Sequence, residues 1–121
     1  MYIAVDFDGT VVYHAFPLVG EDIPSAVETL KRLVNNDHKL ILSTMRSEES
    51  GLQDAVDWFK TREIPLFGVN INPDQVSWTS SPKVYAHVTI DDTALGCPLS
   101  YNYVDQYSAR AFVDWKKVAE M

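Results

Sequence analysis

One cysteine, Cys97, stands in a chain of 121 residues, so an internal disulfide is excluded. Its neighbours Gly96 and Pro98 mark a turn, and a reduced bystander is expected there rather than a catalytic thiol. No apolar run approaches the roughly 18 residues of a membrane span, and the amino terminus lacks a basic region followed by a long apolar one. These absences predict a soluble, cytoplasmic protein with no membrane partner. Basic residues are few: 10 Lys and Arg against 17 Asp and Glu leave a formal charge of −7. Such a surface repels polyanions and argues against a nucleic-acid duplex as partner, although a metal can reverse the field within one cleft. No compact His/Cys cluster exists, which leaves oxygen ligands for any cation. Internal repeats, low-complexity segments and linkers are missing too. With 46% hydrophobic content, residues 1–121 form one ordinary domain, long enough for a core and too short for two.

What is present begins with Asp6-Phe7-Asp8-Gly9-Thr10, directly after the apolar run Tyr2-Ile3-Ala4-Val5. Four β-prone residues read as a short buried strand whose end releases two carboxylates together. Open α/β sheets place their sites at such ends. Gly9 permits a sharp turn and Thr10 adds a hydroxyl. A lone Asp-Gly pair is ordinarily just a turn. Two acids closing an apolar strand are costly unless they bind something.

Downstream, strands and helices alternate. Ser25 and Glu28 have capping-box spacing, and Val27, Leu30, Leu33 and Val34 recur with helical period, predicting a helix over 24–36. Asn35-Asn36-Asp37 ends it. Leu40 to Thr44 reads as a second strand. Ser50 and Gln53 precede Leu52, Ala55, Val56 and Phe59, a second helix over 51–62. Leu66 to Val69 and His87 to Ile90 are expected as the third and fourth strands, and Ala111, Trp115 and Val118 mark a closing helix over 106–119. This order predicts an α/β fold, a parallel sheet with helices on both faces in three α/β/α layers.

Two further strand ends carry polar residues: Ser43-Thr44-Met45-Arg46 after the second strand and Asp91-Asp92 after the fourth. Period-two alternation sends Asp91 and Asp92 in different directions, so one of them is expected to contact a metal directly. Arg46 has the bidentate geometry for phosphate, or it pairs with nearby Glu48 or Glu49.

Asp6 to Thr10 resembles motif I, DxDGT, of the haloacid dehalogenase (HAD) superfamily of aspartate-dependent phosphohydrolases, and the resemblance spans residues 3 to 96. It implies a Rossmann-like sheet and an aspartyl-phosphate mechanism with Mg²⁺ as cofactor. Asp6 would be the nucleophile and a metal ligand; Asp8 would protonate the leaving alcohol, then deprotonate water, its backbone carbonyl also on the metal. Thr44, with Ser43 as competitor, resembles the hydroxyl of motif II, and Met45 and Arg46 adjoin the substrate. Asp91-Asp92 resembles the DD form of motif IV, Asp92 as ligand and Asp91 behind it. Lys83 is the candidate for the motif III lysine, which requires residues 82 to 86 to form a loop or turn rather than strand; otherwise it is a surface charge. Backbone N–H groups from Phe7 to Thr10, including Gly9, would join Thr44 and Lys83 in stabilising the phosphoryl oxygens.

Residues 11 to 23 suffice for a flap and not for a cap domain, so the chain resembles the capless subgroup, whose open sites accept large substrates unless a second copy covers them. Tyr13, His14 and Phe16 of the flap either meet substrate or pack as hairpin residues. His38 and His87 read as structural, and Tyr101 to Tyr107 as a candidate self-association patch. The expected activity is Mg²⁺-dependent hydrolysis of a small phosphomonoester, a metabolite, sugar phosphate or nucleotide. Alternatives are a metal- and phosphate-binding regulatory module with little turnover, and a polynucleotide phosphatase, which the acidic charge disfavours.

Overall fold

A computed structural model describes residues 1–101 and 110–121. Strands β1 (Tyr2–Val5), β2 (Lys39–Leu42), β3 (Gly68–Val69) and β4 (Val88–Ile90) form a parallel sheet in the order β3-β2-β1-β4. Ile3, Ala4 and Val5 are buried in succession, as are Leu40, Ile41 and Leu42. Consecutive burial means both faces of the central strands are covered, the arrangement parallel sheets require. This is an α/β fold, as expected. Val5 lies opposite Leu42 on one side and Ile90 on the other, so these three strands end level with one another.

Helix α1 (Ala26–Asn35) buries Ala26, Thr29 and Leu30, and helix α2 (Leu52–Thr61) buries Ala55, Trp58 and Phe59, both at helical spacing. Neither uses its expected capping box. Ser25 is left-handed at φ 70° and makes no side-chain cap bond, while Gly51 at φ 89° opens α2. A left-handed residue does not aim its side chain at the third amide as an extended cap does. Ser50 Oγ accepts from the Ser47 N–H instead, at 2.8 Å.

The carboxy-terminal expectation fails in part. Its first residues, with most of the Tyr101 to Tyr107 patch, lie outside the described residues. Phe112–Val113 is strand β6, antiparallel to β5 (Leu99–Ser100), and helix α3 runs only over Trp115–Glu120. The i, i+4 pair Ala111 and Trp115 imitated a helical stripe. Asp114, whose side chain accepts from the Lys117 N–H at 3.2 Å, is the true N-cap. Among the described residues no helix is long and apolar enough to cross a membrane.

Candidate active site

The ladder carries Asp6 to the end of β1, where its N–H donates to Ile90 O at 3.0 Å. One carboxylate oxygen each from Asp6, Asp91 and Asp92 then lie within 4.8 Å of one another. Alternation does not separate Asp91 from Asp92 because β4 stops at Ile90. Thr10, fully buried, joins the two strand ends: its hydroxyl donates to Asp6 Oδ2 at 3.0 Å and accepts from the Asp92 N–H at 3.2 Å.

Crowding three acids has an electrostatic consequence. Burial and the Asp91 charge push the Asp6 carboxyl up to about 7. Burial also opposes ionisation of Asp92, yet hydrogen bonds from His14 and Asp6 outweigh it and hold its carboxyl below the ordinary range. A proton shared between the two therefore resides on Asp6. A metal ion could replace it, since three convergent carboxylate oxygens offer it ligands.

Asp8 is not part of this cluster. It lies beyond β1 in the turn, where pleat alternation no longer places it beside Asp6, and its carboxylate faces Arg46. Arg46 donates to it twice, Nε to Oδ2 at 2.8 Å and Nη2 to Oδ1 at 2.7 Å. The remaining N–H groups reach Leu18 O at 2.8 Å, Gly51 O at 3.3 Å and Pro17 O at 3.4 Å. A guanidinium has five N–H donors, and all five are taken. Arg46 is also only 3% exposed, with Phe7 and Phe16 rings about its plane. This corrects the expectation of phosphate contact: Arg46 holds Asp8, the flap and the start of α2 together. Neither Glu48 nor Glu49 is its partner.

The motif I loop is likewise self-satisfied. Gly9 N–H donates to Val12 O, and the N–H groups of Thr10 and Val11 both reach Phe7 O. The expected donation of the Gly9 and Thr10 amides to phosphate is therefore not available in this arrangement. Phe7 turns its ring into the core against Trp58 and Phe59, while its N–H supports the Asp6 carboxylate. Gly9 has φ +79°, and a Cβ there would run into His14 and lie 2.9 Å from Asp92 Oδ2. Gly9→Ala is expected to lose about 1–3 kcal/mol by thermal or urea unfolding; a loss below about 0.5 kcal/mol would show that His14 moves aside freely.

Thr44 is half-buried past the end of β2, its N–H held by Asn70 Oδ1 at 2.9 Å and its hydroxyl accepting from the Arg46 N–H at 3.1 Å. Ser43 continues the ladder to Val5. Met45 is 97% exposed. Residues 82 to 86 are indeed a loop, but Lys83 does not join the acids. Its carbonyl is tied to the Gln75 side chain, and the segment runs on to His87, whose N–H donates to Tyr2 O at the start of β1. The Lys83 ammonium is exposed and makes no hydrogen bond or ion pair among the described residues.

Two further nitrogen-bearing side chains stand beside Asp92. His14 Nε2 lies 3.3 Å from Asp92 Oδ2 and 3.2 Å from Ala111 O, and Arg110 Nη2 is 3.9 Å from Asp92 Oδ2. His14 was visible only as a flap residue, and Arg110 carried no local signal. The far end of the chain braces the loop at alternate residues: Ala111 against His14, the Val113 N–H on Gly9 O at 3.1 Å, and Trp115 Nε1 on Thr10 O at 2.5 Å. His38 and His87 are structural as expected, His38 beside the terminal amine and His87 stacked on Tyr2.

The flap closes on itself through Tyr13 N–H to Glu21 O and Ile23 N–H to Val11 O, both 2.9 Å. Asp22 anchors it to α2 by accepting from Trp58 Nε1 and, in bidentate fashion, from Arg62. Between flap and sheet opens a cleft of about 620 Å³ lined by Asp8, His14, Ala15, Phe16, Met45, Arg46 and Arg110. A second hollow of about 480 Å³, between α1, β4 and α3, is mainly apolar and lined by no acid.

No family model matches this chain, and no curated protein does. Among solved structures it is similar to a conserved protein from Bacteroides thetaiotaomicron, with a TM-score of 0.79 and 38% sequence identity over 100% of this chain and 88% of the other.

Proposed function

The chain belongs to the same family as that conserved Bacteroides protein, and we propose that its members with this site are Mg²⁺-dependent phosphohydrolases of HAD-like, Rossmann-like layout. The substrate is a phosphomonoester and the location cytoplasmic. The observation that carries the reading is the convergence of Asp6, Asp91 and Asp92 at adjoining strand ends, tied by Thr10. The DxDGT resemblance supplies the chemistry.

Asp6, Asp91 and Asp92, with the Asp8 carbonyl, would hold Mg²⁺. The bound cation would neutralise the repulsion between a carboxylate nucleophile and a phosphate dianion. The Asp6 carboxylate attacks phosphorus and the bond to the alcohol oxygen breaks; Asp8, once one of its oxygens leaves Arg46 and takes a proton from solvent, delivers that proton to the alcohol oxygen. Water then attacks the aspartyl-phosphate, gives its proton to Asp8, and releases phosphate with Asp6 regenerated. Arg46 holds Asp8 on the cleft wall before the reaction begins, and the Thr44 hydroxyl would donate to a phosphoryl oxygen. With only a flap over residues 11–23, a second copy of the chain is the expected cover for the open cleft.

The test is phosphate release from a panel of phosphomonoesters with Mg²⁺. A second reading, a metal- and phosphate-binding module with little turnover, rests on Lys83 standing away from the acids. No release in spite of bound Mg²⁺ would favour it.

Metal binding has its own readout. Because folding raises Asp6 from the ordinary 3.8 to about 7, the folded state binds the extra proton and metal-free stability falls as pH rises through that window. Thermal melts after chelation should therefore show a decline between about pH 4 and 7 that Asp6→Asn lacks. Adding Mg²⁺ near pH 6.5 should raise the Tm and release up to about one proton, read by calorimetry in two buffers. If Mg²⁺ changes neither, the three acids are not its site.

A further inference from the structure

We propose that the cleft selects a leaving alcohol that carries an aromatic group, the base of a nucleoside monophosphate, through a shelf formed by Phe16 and Met45; this rests on the phosphohydrolase reading. Of the wall's hydrogen-bonding groups, those of Asp8 and Arg46 and the His14 Nε2 are already engaged, and Arg110 turns toward Asp92 at 3.9 Å. Both Asp8 oxygens and all five Arg46 donors are committed, and His14 Nε2 is shared between Asp92 and Ala111. A hydroxyl-rich sugar beyond the phosphate finds little to bond there.

The lip offers different chemistry. Phe16 is 56% exposed and Met45 97% exposed, although both line the cleft. The Arg46 guanidinium lies 5.1 Å from the Phe16 ring centroid, and Arg46 is itself immobilised by five hydrogen bonds. Phe16 is thus a ring braced from beneath, with surface left for a partner. A planar π-system stacks on such a ring, and a thioether adds polarizable contact at its edge. About 620 Å³ beside Asp8 is room enough for a nucleoside.

The experiment compares kcat/KM for phosphate release from adenosine 5′-monophosphate, ribose 5-phosphate and phenyl phosphate, using the full chain with Mg²⁺. The nucleotide should exceed ribose 5-phosphate by about tenfold or more. Phe16→Ala should bring that ratio to within about threefold, and Phe16→Tyr should preserve it. Equal rates for the two in the native protein, or a ratio unmoved by Phe16→Ala, would overturn the shelf. Phenyl phosphate matching the nucleotide would overturn the nucleoside assignment in favour of simple aryl esters. If none of the three releases phosphate, the phosphohydrolase reading fails by itself. Titration calorimetry of adenosine 5′-monophosphate and ribose 5-phosphate with Mg²⁺ then decides the shelf: tighter nucleotide binding that Phe16→Ala abolishes supports it, and equal or absent binding overturns it.

Discussion

Asp6→Asn is expected to abolish phosphate release, by at least about 10³-fold, without unfolding the protein. The amide keeps the shape of the carboxyl and still accepts from Thr10 at the end of β1. It lacks the anion that attacks phosphorus in the proposed mechanism, and no neighbouring acid would substitute, because Asp91 and Asp92 issue from another strand and Asp8 is committed to Arg46. The same change removes one of three crowded carboxyls, so the metal-free melting temperature at pH 8 should hold or rise. Phosphate assay and thermal melt together separate the explanations. Residual turnover above about 1% with an unchanged fold would remove Asp6 from the nucleophile's role, and a collapsed melt would make the activity loss uninformative about chemistry.

Arg46→Ala is expected to produce the largest loss of stability, about 3–5 kcal/mol, corresponding to about 10–20 °C in Tm. The substitution strands the partly buried Asp8 carboxylate and also leaves the carbonyls of Pro17 and Leu18 without their Arg46 donor, while Gly51 O keeps only the Ala55 N–H. Lysine does not replace it: an ammonium has three donors from one atom and cannot span a carboxylate in two parallel bonds while reaching three carbonyls on two segments. Arg46→Lys should therefore recover less than half of the loss. Urea unfolding checks both variants. A loss under about 1 kcal/mol for Arg46→Ala would mean that the pair is dispensable and would return Arg46 to the pool of substrate ligands.

Much of this was legible in the chain because its signals are local. Tyr2 to Val5 is a strand on propensity and burial alone, and the cores of α1 and α2 follow from apolar residues at helical spacing. Strand ends place Asp6, Asp91, Asp92 and Thr44 at one edge once the sheet is parallel. The failures have two causes, local backbone conformation that overrides a side-chain cap and what a residue meets far along the chain. Both capping boxes were present in sequence and unused, because the chain enters each helix through a left-handed residue. Residues 111 to 115 imitate a helix, yet their alternate positions are spent bracing Gly9, Thr10 and His14.

The alternation of strands and helices and the three acids at strand ends are written locally in the chain, since period, propensity and strand polarity act over a few residues. How those groups are shared is a property of the folded molecule. Folding committed Asp8 to Arg46, brought His14 and Arg110 to Asp92, and tied the Lys83 segment to Gln75, because hydrogen bonds and ion pairs between residues tens of positions apart form only after the backbone has closed.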